Sequence, residues 1–215
     1  MSKNQSDVIA FPPRSRPKQE RGLETRDQIL DAAVALISEQ GYAAASTPNI
    51  AARAGVSRGA LQHHFPSRED LLIALSQKLT DRMALQLSTH DLLGMDTKTR
   101  VSHIVDQYWA VSASVDNLVM LQVRLNEPAP DTKLQRDHMT DLVMLRLERE
   151  RDWLRIFADA AASSEQIITA RRFTQTMLRG LSLHHTSHMS TTPVEELLDF
   201  LKAALTEMLK PAEKA

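Results

Sequence analysis

Apolar residues recur at three- and four-residue intervals along most of the chain, and no segment shows a convincing strand pattern. The spacing predicts about nine helices and an all-α fold. The first helix starts at Thr25, which has capping-box spacing with Gln28, and turns Ile29, Leu30, Ala33, Leu36 and Ile37 inward until Gly41 ends it. A short second helix opens with Thr47 as hydroxyl cap and Pro48 at the first helical position, where a missing N–H costs nothing. Ile50, Ala51 and Ala54 face inward, and Gly55 leaves the helix through a left-handed conformation. Val56 fills the angle before Ser57 caps a third helix. Leu61 and Phe65 form its buried side, while Arg58, Gly59, Gln62, His63 and His64 point outward. Two helices joined by so tight a turn can approach only because Ala51 is little more than a methyl group.

A fourth helix starts at Ser67, with Asp70 three residues on, and carries Leu71, Leu72, Leu75, Leu79, Met83 and Leu87 along one side. Run to His90, it would be about 35 Å long, a rod able to carry a displacement from one end to the other. Beyond residue 97 every periodic segment is again helical. Val101, Ile104, Val105, Tyr108 and Trp109 mark one helix; Leu118, Leu121 and Leu125, beside Val119 and Val123, mark the next; two prolines at 126–131 interrupt. Leu134, His138, Leu142, Leu145, Arg149, Trp153 and Ile156 define a long helix, broken at 161–165. One helix then runs from about Ser164 through Ile168, Phe173, Met177 and Leu181. The last lies between Pro193 and Pro211, with an apolar stripe of Val194, Leu197, Leu198, Leu201, Leu205 and Leu209 fit for a core or a dimer.

The segment TPNIAARAGVSRGALQHHFPSR, 47–68, reads as a helix-turn-helix. Any alanine-rich hairpin with a glycine turn shares its outline. The outward face separates the two readings, since a hairpin built for stability has no reason to present Arg, Gln and two adjacent His on a short exposed helix, whereas a DNA reader has one.

With TRDQILDAAVALISEQGY before it and GALQHHFPSREDLL leading into a long helix, residues 25–75 resemble the DNA-binding domain of the tetracycline-repressor (TetR) family of bacterial transcription regulators. Two positions depart from the family's usual pattern, with Gln62 where Tyr is frequent and Arg68 where Lys is. Both keep a polar contact, so the departures bear on which bases are read. Residues 1–20 are polar, proline-containing, basic and without period, which predicts a disordered tail; the resemblance implies a helix-turn-helix DNA-binding domain at 21–68 and a helical effector-binding and dimerisation domain at 69–215. It further implies a homodimer paired through its last two helices as a four-helix bundle, a small-molecule effector, and a double-stranded, palindromic DNA operator released on effector binding. Thr47, His64 and Arg68 would hold phosphates; Arg58, Gly59, Gln62 and His63 would reach base edges.

Composition adds asymmetry. The 215-residue chain has a net charge of -1, yet carries 9 Lys or Arg against 6 Asp or Glu through Arg68, and 17 against 21 beyond it. It contains no cysteine, which excludes thiolate nucleophiles and Cys-based zinc sites. No stretch approaches a membrane span, and the apolar run at 8–11 is too short for a signal peptide, so a cytoplasmic location is expected. The basic tail reads as a DNA-touching arm or a solubilising segment.

For an effector pocket, the interhelical aromatic, Met and polar candidates are His103, Tyr108, Trp109, Met120, Arg124, Trp153, Phe173 and Met177, each of a type that also builds plain cores. His184 and His188 have metal-ligand spacing beside His185, but no HExxH glutamate accompanies them, so no metal and no cofactor are expected. The alternatives to a regulator are a helical metal-dependent enzyme, which lacks a GxSxG elbow or a glycine-rich phosphate loop, and a helical binding protein that does not read DNA.

Overall fold

The computed structural model describes residues 18–87, 92–126, 133–186 and 193–212. Within them the chain forms α1 (Lys18–Gln40), a 3₁₀ turn (Tyr42–Ala44), α2 (Thr47–Arg53), α3 (Arg58–His64), α4 (Arg68–Leu85), α5 (Thr97–Ser112), α6 (Val115–Asn126), α7 (Lys133–Ile156), α8 (Ser164–Thr186) and α9 (Val194–Met208). No named strand occurs among the described residues, so the fold is all-α, with a helix-turn-helix at its N-terminal end and a larger helical assembly behind it.

Three helix boundaries differ from the sequence expectations. α1 starts seven residues before Thr25, within the stretch expected to be a disordered tail; residues 1–17 lie outside the described residues. The Thr25 hydroxyl turns back to the Arg21 carbonyl (2.8 Å) instead of capping a helix start, and Gln28 is engaged elsewhere. α2 is capped one residue earlier than Thr47, by Ser46, whose Oγ accepts from the Asn49 N–H (3.4 Å). In a Ser-Thr-Pro run either hydroxyl can cap, because a proline fits the first or second helical position without losing a bond. α4 ends at Leu85, so the rod is 18 residues, about 27 Å, rather than reaching His90. Its start is as expected, a reciprocal capping box between Ser67 and Asp70.

Two apolar cores organise the molecule. The first gathers α1 to α4 around Ile29, Leu30, Ile37, Leu61, Leu75 and Leu79, and includes Val119, Met120 and Val123 of α6. That corrects the expected face of α6: Leu125 is 77% exposed, whereas Val119 and Val123 are fully buried. The second core joins α5, α7, α8 and α9 around Trp153, Phe157, Leu178 and Leu201. Leu198, Leu201, Leu205 and Leu209 are buried here, inside one chain, so the leucine stripe of α9 is core rather than an unpartnered dimer face. The expected inward position of Phe173 on α8 also fails: it is 58% exposed, and Ile167, Ala170, Thr174 and Leu178 hold the buried face. The prolines at 128 and 130 lie outside the described residues.

Charged pairs fix the helices around these cores. Lys78 reaches Asp27 (3.1 Å) and Asp31 (3.0 Å), and Arg82 reaches Asp31 (2.6 Å), which ties α4 to α1. Burial works to raise the Asp31 pKa, but the Lys78 and Arg82 bonds outweigh it and hold the carboxyl below its ordinary range. At the far end, Arg100 is buried and donates to both oxygens of Asp159 (2.8 and 2.6 Å), to Thr97 and to the Ile156 carbonyl, with its guanidinium 5.5 Å from the Phe157 ring centroid.

Arg100 holds the Asp159 carboxyl below the usual carboxylate range. The stability contributed by this bond is therefore present above the unfolded carboxylate pKa of about 3.9 and lost as pH falls through the lower folded value. Asp159→Asn leaves the buried guanidinium without its counter-charge, and the cost expected at pH 7 is about 1–2 kcal/mol, kept low by the half-exposed carboxylate. Urea denaturation should show the gap from the parent chain narrowing below about pH 4.

Candidate nucleic-acid interface and effector cavity

α3 has seven residues, too few to be stable alone, so its position is set by what anchors it. Ser57 caps its start, its Oγ accepting from the Ala60 N–H (3.1 Å). Leu61 and Phe65 are 1% and 2% exposed in the first core, and the Arg26 guanidinium lies 5.1 Å from the Phe65 ring centroid. The turn between α2 and α3 closes as the Val56 N–H donates to the Ala51 carbonyl (3.0 Å) across Gly55, whose φ of 66° lies in the left-handed region. Gln28 of α1 donates from Nε2 to the Ala54 carbonyl (2.9 Å), pinning the turn to the neighbouring helix.

This anchoring leaves Arg58, Gly59, Gln62 and His63 exposed on one side. His64 is half-buried rather than outward, its ring edge-on to His63 with centroids 5.5 Å apart. Thr47 is half-buried as the first residue of α2. Arg68 opens α4, exposed, with its guanidinium stacked 4.8 Å from the Tyr42 ring centroid, so Tyr42 packs against the core and orients a cation at once. Gly59 needs no bare backbone for internal reasons: a Cβ there would meet only Ser57 Oγ, at 3.9 Å.

A cavity of about 750 Å³ opens among α4, α5, α6, α7 and α8. Of the eight sequence candidates, Tyr108, Met120 and Arg124 line it; the other five do not. Trp153 is buried behind the wall, its Nε1–H 3.4 Å from the Tyr108 hydroxyl. Trp109 meets His185 edge-on at 6.2 Å, and Met177 packs on the second core. His103 is exposed beside Gln107 (2.8 Å), and Phe173 is on the outer surface. What sequence reasoning missed is the arginine content of the wall, supplied by Arg146 and Arg149 of α7 and Arg171, Arg172 and Arg179 of α8. The eight-residue interval between Arg171 and Arg179 places both on one helical face, a signal that resembles an ordinary solvated stripe until α7 is set opposite it. His184 and His185 stand exposed in the last turn of α8, and His188 lies outside the described residues. None of the helices described is long and apolar enough to cross a membrane.

Known proteins share the N-terminal sequence pattern and the fold. Residues 29–75 match the family described as bacterial regulatory proteins, tetR family. The chain is 38% identical over 80 residues to the HTH-type transcriptional regulator CymR of Pseudomonas putida, covering 35% of this chain and 39% of that one. It is 25% identical over 190 residues to the HTH-type transcriptional repressor AcnR of Corynebacterium efficiens, covering 86% and 95%. CymR and two further curated relatives are matched over only about two fifths of their own length. A crystal structure of a transcriptional regulator from Rhodococcus sp. Rha1 superposes with a TM-score of 0.65 at 20% identity, covering 86% of this chain and 95% of that one, a likeness of fold.

Replacing Gln28 by Ala removes the tie between α1 and the helix-turn-helix. The expected destabilisation is about 1 kcal/mol, read as a lower urea midpoint at unchanged slope.

Proposed function

We propose that this chain, which belongs to the tetR family of bacterial regulatory proteins, is a homodimeric repressor that occupies a two-fold symmetric DNA operator and leaves it when a small molecule enters the α4–α8 cavity. The observation that carries the reading is the exposed side of α3. Arg58, Gln62 and His63 stand clear of the protein on a helix whose other side is locked into a core, as a major-groove reader requires. Gly59 supports it. Glycine inside a helix costs about 0.5–1 kcal/mol relative to alanine, and nothing within the chain crowds the missing methyl, so its benefit lies in letting something outside approach the backbone.

Arg58, Gly59, Gln62 and His63 would face base edges, while Thr47, His64 and Arg68 hold phosphates on either side. Two such helices must be about 34–36 Å apart to enter successive major grooves. With the leucines of α9 committed to the core, the dimer face is a different one. Phe173, Gly180 and Leu183 form an exposed strip on α8, and Phe200 (73% exposed) and Met208 form one on α9. Gly180 has open space around it, which suits close approach of a partner helix.

α4 supplies the link between cavity and reading head. Its capping box follows directly on the end of α3, and its last two turns present Met83 and Ala84 to the cavity. A ligand that fits the cavity better when α4 is displaced would shift the spacing of the two heads, and a few kcal/mol of preference suffices.

Selection from random DNA should enrich a two-fold symmetric site; recovery of only unsymmetric or unspecific sequences would refute the proposal. On that site, Arg68→Ala should weaken binding to all sequences and flatten the salt dependence by about 0.9 in slope for each phosphate it ceases to neutralise. Gln62→Ala should instead alter base preference, and Gly59→Ala should stabilise the fold slightly while weakening the operator complex, both read by anisotropy titration and denaturation. Phe200→Glu should yield a folded monomer by sedimentation, with the two-fold site bound more weakly.

A further inference from the structure

The cavity carries more positive charge than nearby acids balance. Arg124, Arg146, Arg149, Arg171, Arg172 and Arg179 reach its wall, and among the described residues no Asp or Glu does. Behind the wall, Glu150 is buried and its Oε1 accepts from both Arg146 (3.2 Å) and Arg172 (2.9 Å), which hold its carboxyl low. Asp152 stands 3.7 Å from Arg149 and is shared with Arg155 at 3.3 Å. No carboxylate among the described residues pairs with Arg171 or Arg179.

Arg171 is the sharpest case. It is 2% exposed, its terminal nitrogens donate only to neutral oxygens, Gln175 Oε1 (3.3 Å) and the Arg146 carbonyl (3.2 Å), and its Nε finds no partner. Burial, with Arg124 and Arg171 close by, pushes the Arg179 pKa down from its ordinary value. Burial and Arg124 do the same to His138 against the opposing pull of Asp141, and the His138 Nδ1 is also buried without a partner. Glu150 attracts Arg171 only at a distance, and a buried guanidinium with no carboxylate in direct contact is costly; an incoming anion both satisfies its donors and cancels the repulsion among its neighbours. Beside the arginines the wall carries apolar side chains, Met83, Leu87, Val111, Met120, Leu121 and Leu142, interspersed with the polar Ser76, Thr80, Asn117 and Gln175. At about 750 Å³ the space suits a drug-sized molecule.

We infer that the cavity takes an amphiphilic organic dianion, its phosphate-monoester or dicarboxylate head held by Arg171 and Arg179 and its apolar body lying along the Met and Leu wall. On the effector reading proposed above, on which this step rests, that dianion is the signal that empties the operator.

Titration calorimetry of the full chain with octyl phosphate, octylmalonate, octanol and octyltrimethylammonium tests it, alongside operator anisotropy with each compound. The expected result is binding of at least one dianion about tenfold or more tighter than octanol, with no binding of the cation. The tighter of the two dianions identifies the head. Arg179 is only half-buried, so Arg179→Gln keeps the fold. It should weaken the dianion about tenfold while leaving octanol unchanged, with Arg179→Lys restoring part of the affinity. Octanol or the cation binding as well as the dianions, or indifference of the dianions to Arg179→Gln, would overturn the ligand class and leave DNA reading untouched. Arg179-dependent dianion binding at unchanged operator affinity would uphold the ligand class and sink the release mechanism.

Discussion

The apolar seam along α4 is the constraint on which the architecture depends. Leu75 and Leu79 have no exposed surface, and α4 packs on one side against α1 and on another against α6. Each buried leucine contributes about 1.5–3 kcal/mol, so the seam cannot open to accommodate movement. α6 seals it further: Gln122 Oε1 accepts from the Tyr42 N–H (3.0 Å) while Val119 and Val123 enter the core of the reading head. A helix from the C-terminal half is thus a structural part of the helix-turn-helix end, and a displacement of α4 or α6 must carry α1 and the 3₁₀ turn with it.

The second tension in the molecule is electrostatic. Guanidinium groups crowd one cavity, and two acids behind its wall are already engaged, Glu150 by two arginines and Asp152 by two more. Such an arrangement is tolerated only because the second core, with Trp153 and Phe157 buried at 1% exposure, fixes α7 and α8 independently of the cavity. Arg149 also donates to the Ala84 carbonyl (3.4 Å), so the charged wall touches the end of α4 directly. Cavity charge and reading head are therefore separated by a single helix.

How much of this was legible in the sequence follows from how local each signal is. The Ser57 cap, the Gly55 turn, the small Ala51 contact and the Ser67–Asp70 capping box are decided within a few residues, and their roles could be read from spacing. The errors occurred where two local solutions compete. Ser46 and Thr47 offer the same hydroxyl, and Thr25 could cap a start or bond a carbonyl four residues back. Non-local facts were harder still. Leu118, Leu121 and Leu125 outrank Val119 and Val123 in size, yet the valines are buried because α6 docks on α1 and α4, which no periodicity within α6 encodes. For the same reason, the spacing of the arginines on α7 and α8 does not distinguish a solvated stripe from a cavity wall, which only the packing of the two helices decides.

The shortness of α3 completes the connection between these levels. A longer recognition helix could hold its shape while tilting on a loose base; a seven-residue one loses its shape with its anchors. Ser57, Leu61 and Phe65 fix it at its start, middle and end, and Pro66 and Ser67 pass the chain into α4 with no slack. Motion at the cavity end of α4 therefore reaches α3 as rigid-body movement of the whole head, preserving the reading surface while changing where it sits. In the function proposed above, the response to a ligand runs through the distance between two heads, and the residues assigned to DNA need not contact, or even neighbour, those assigned to the signal.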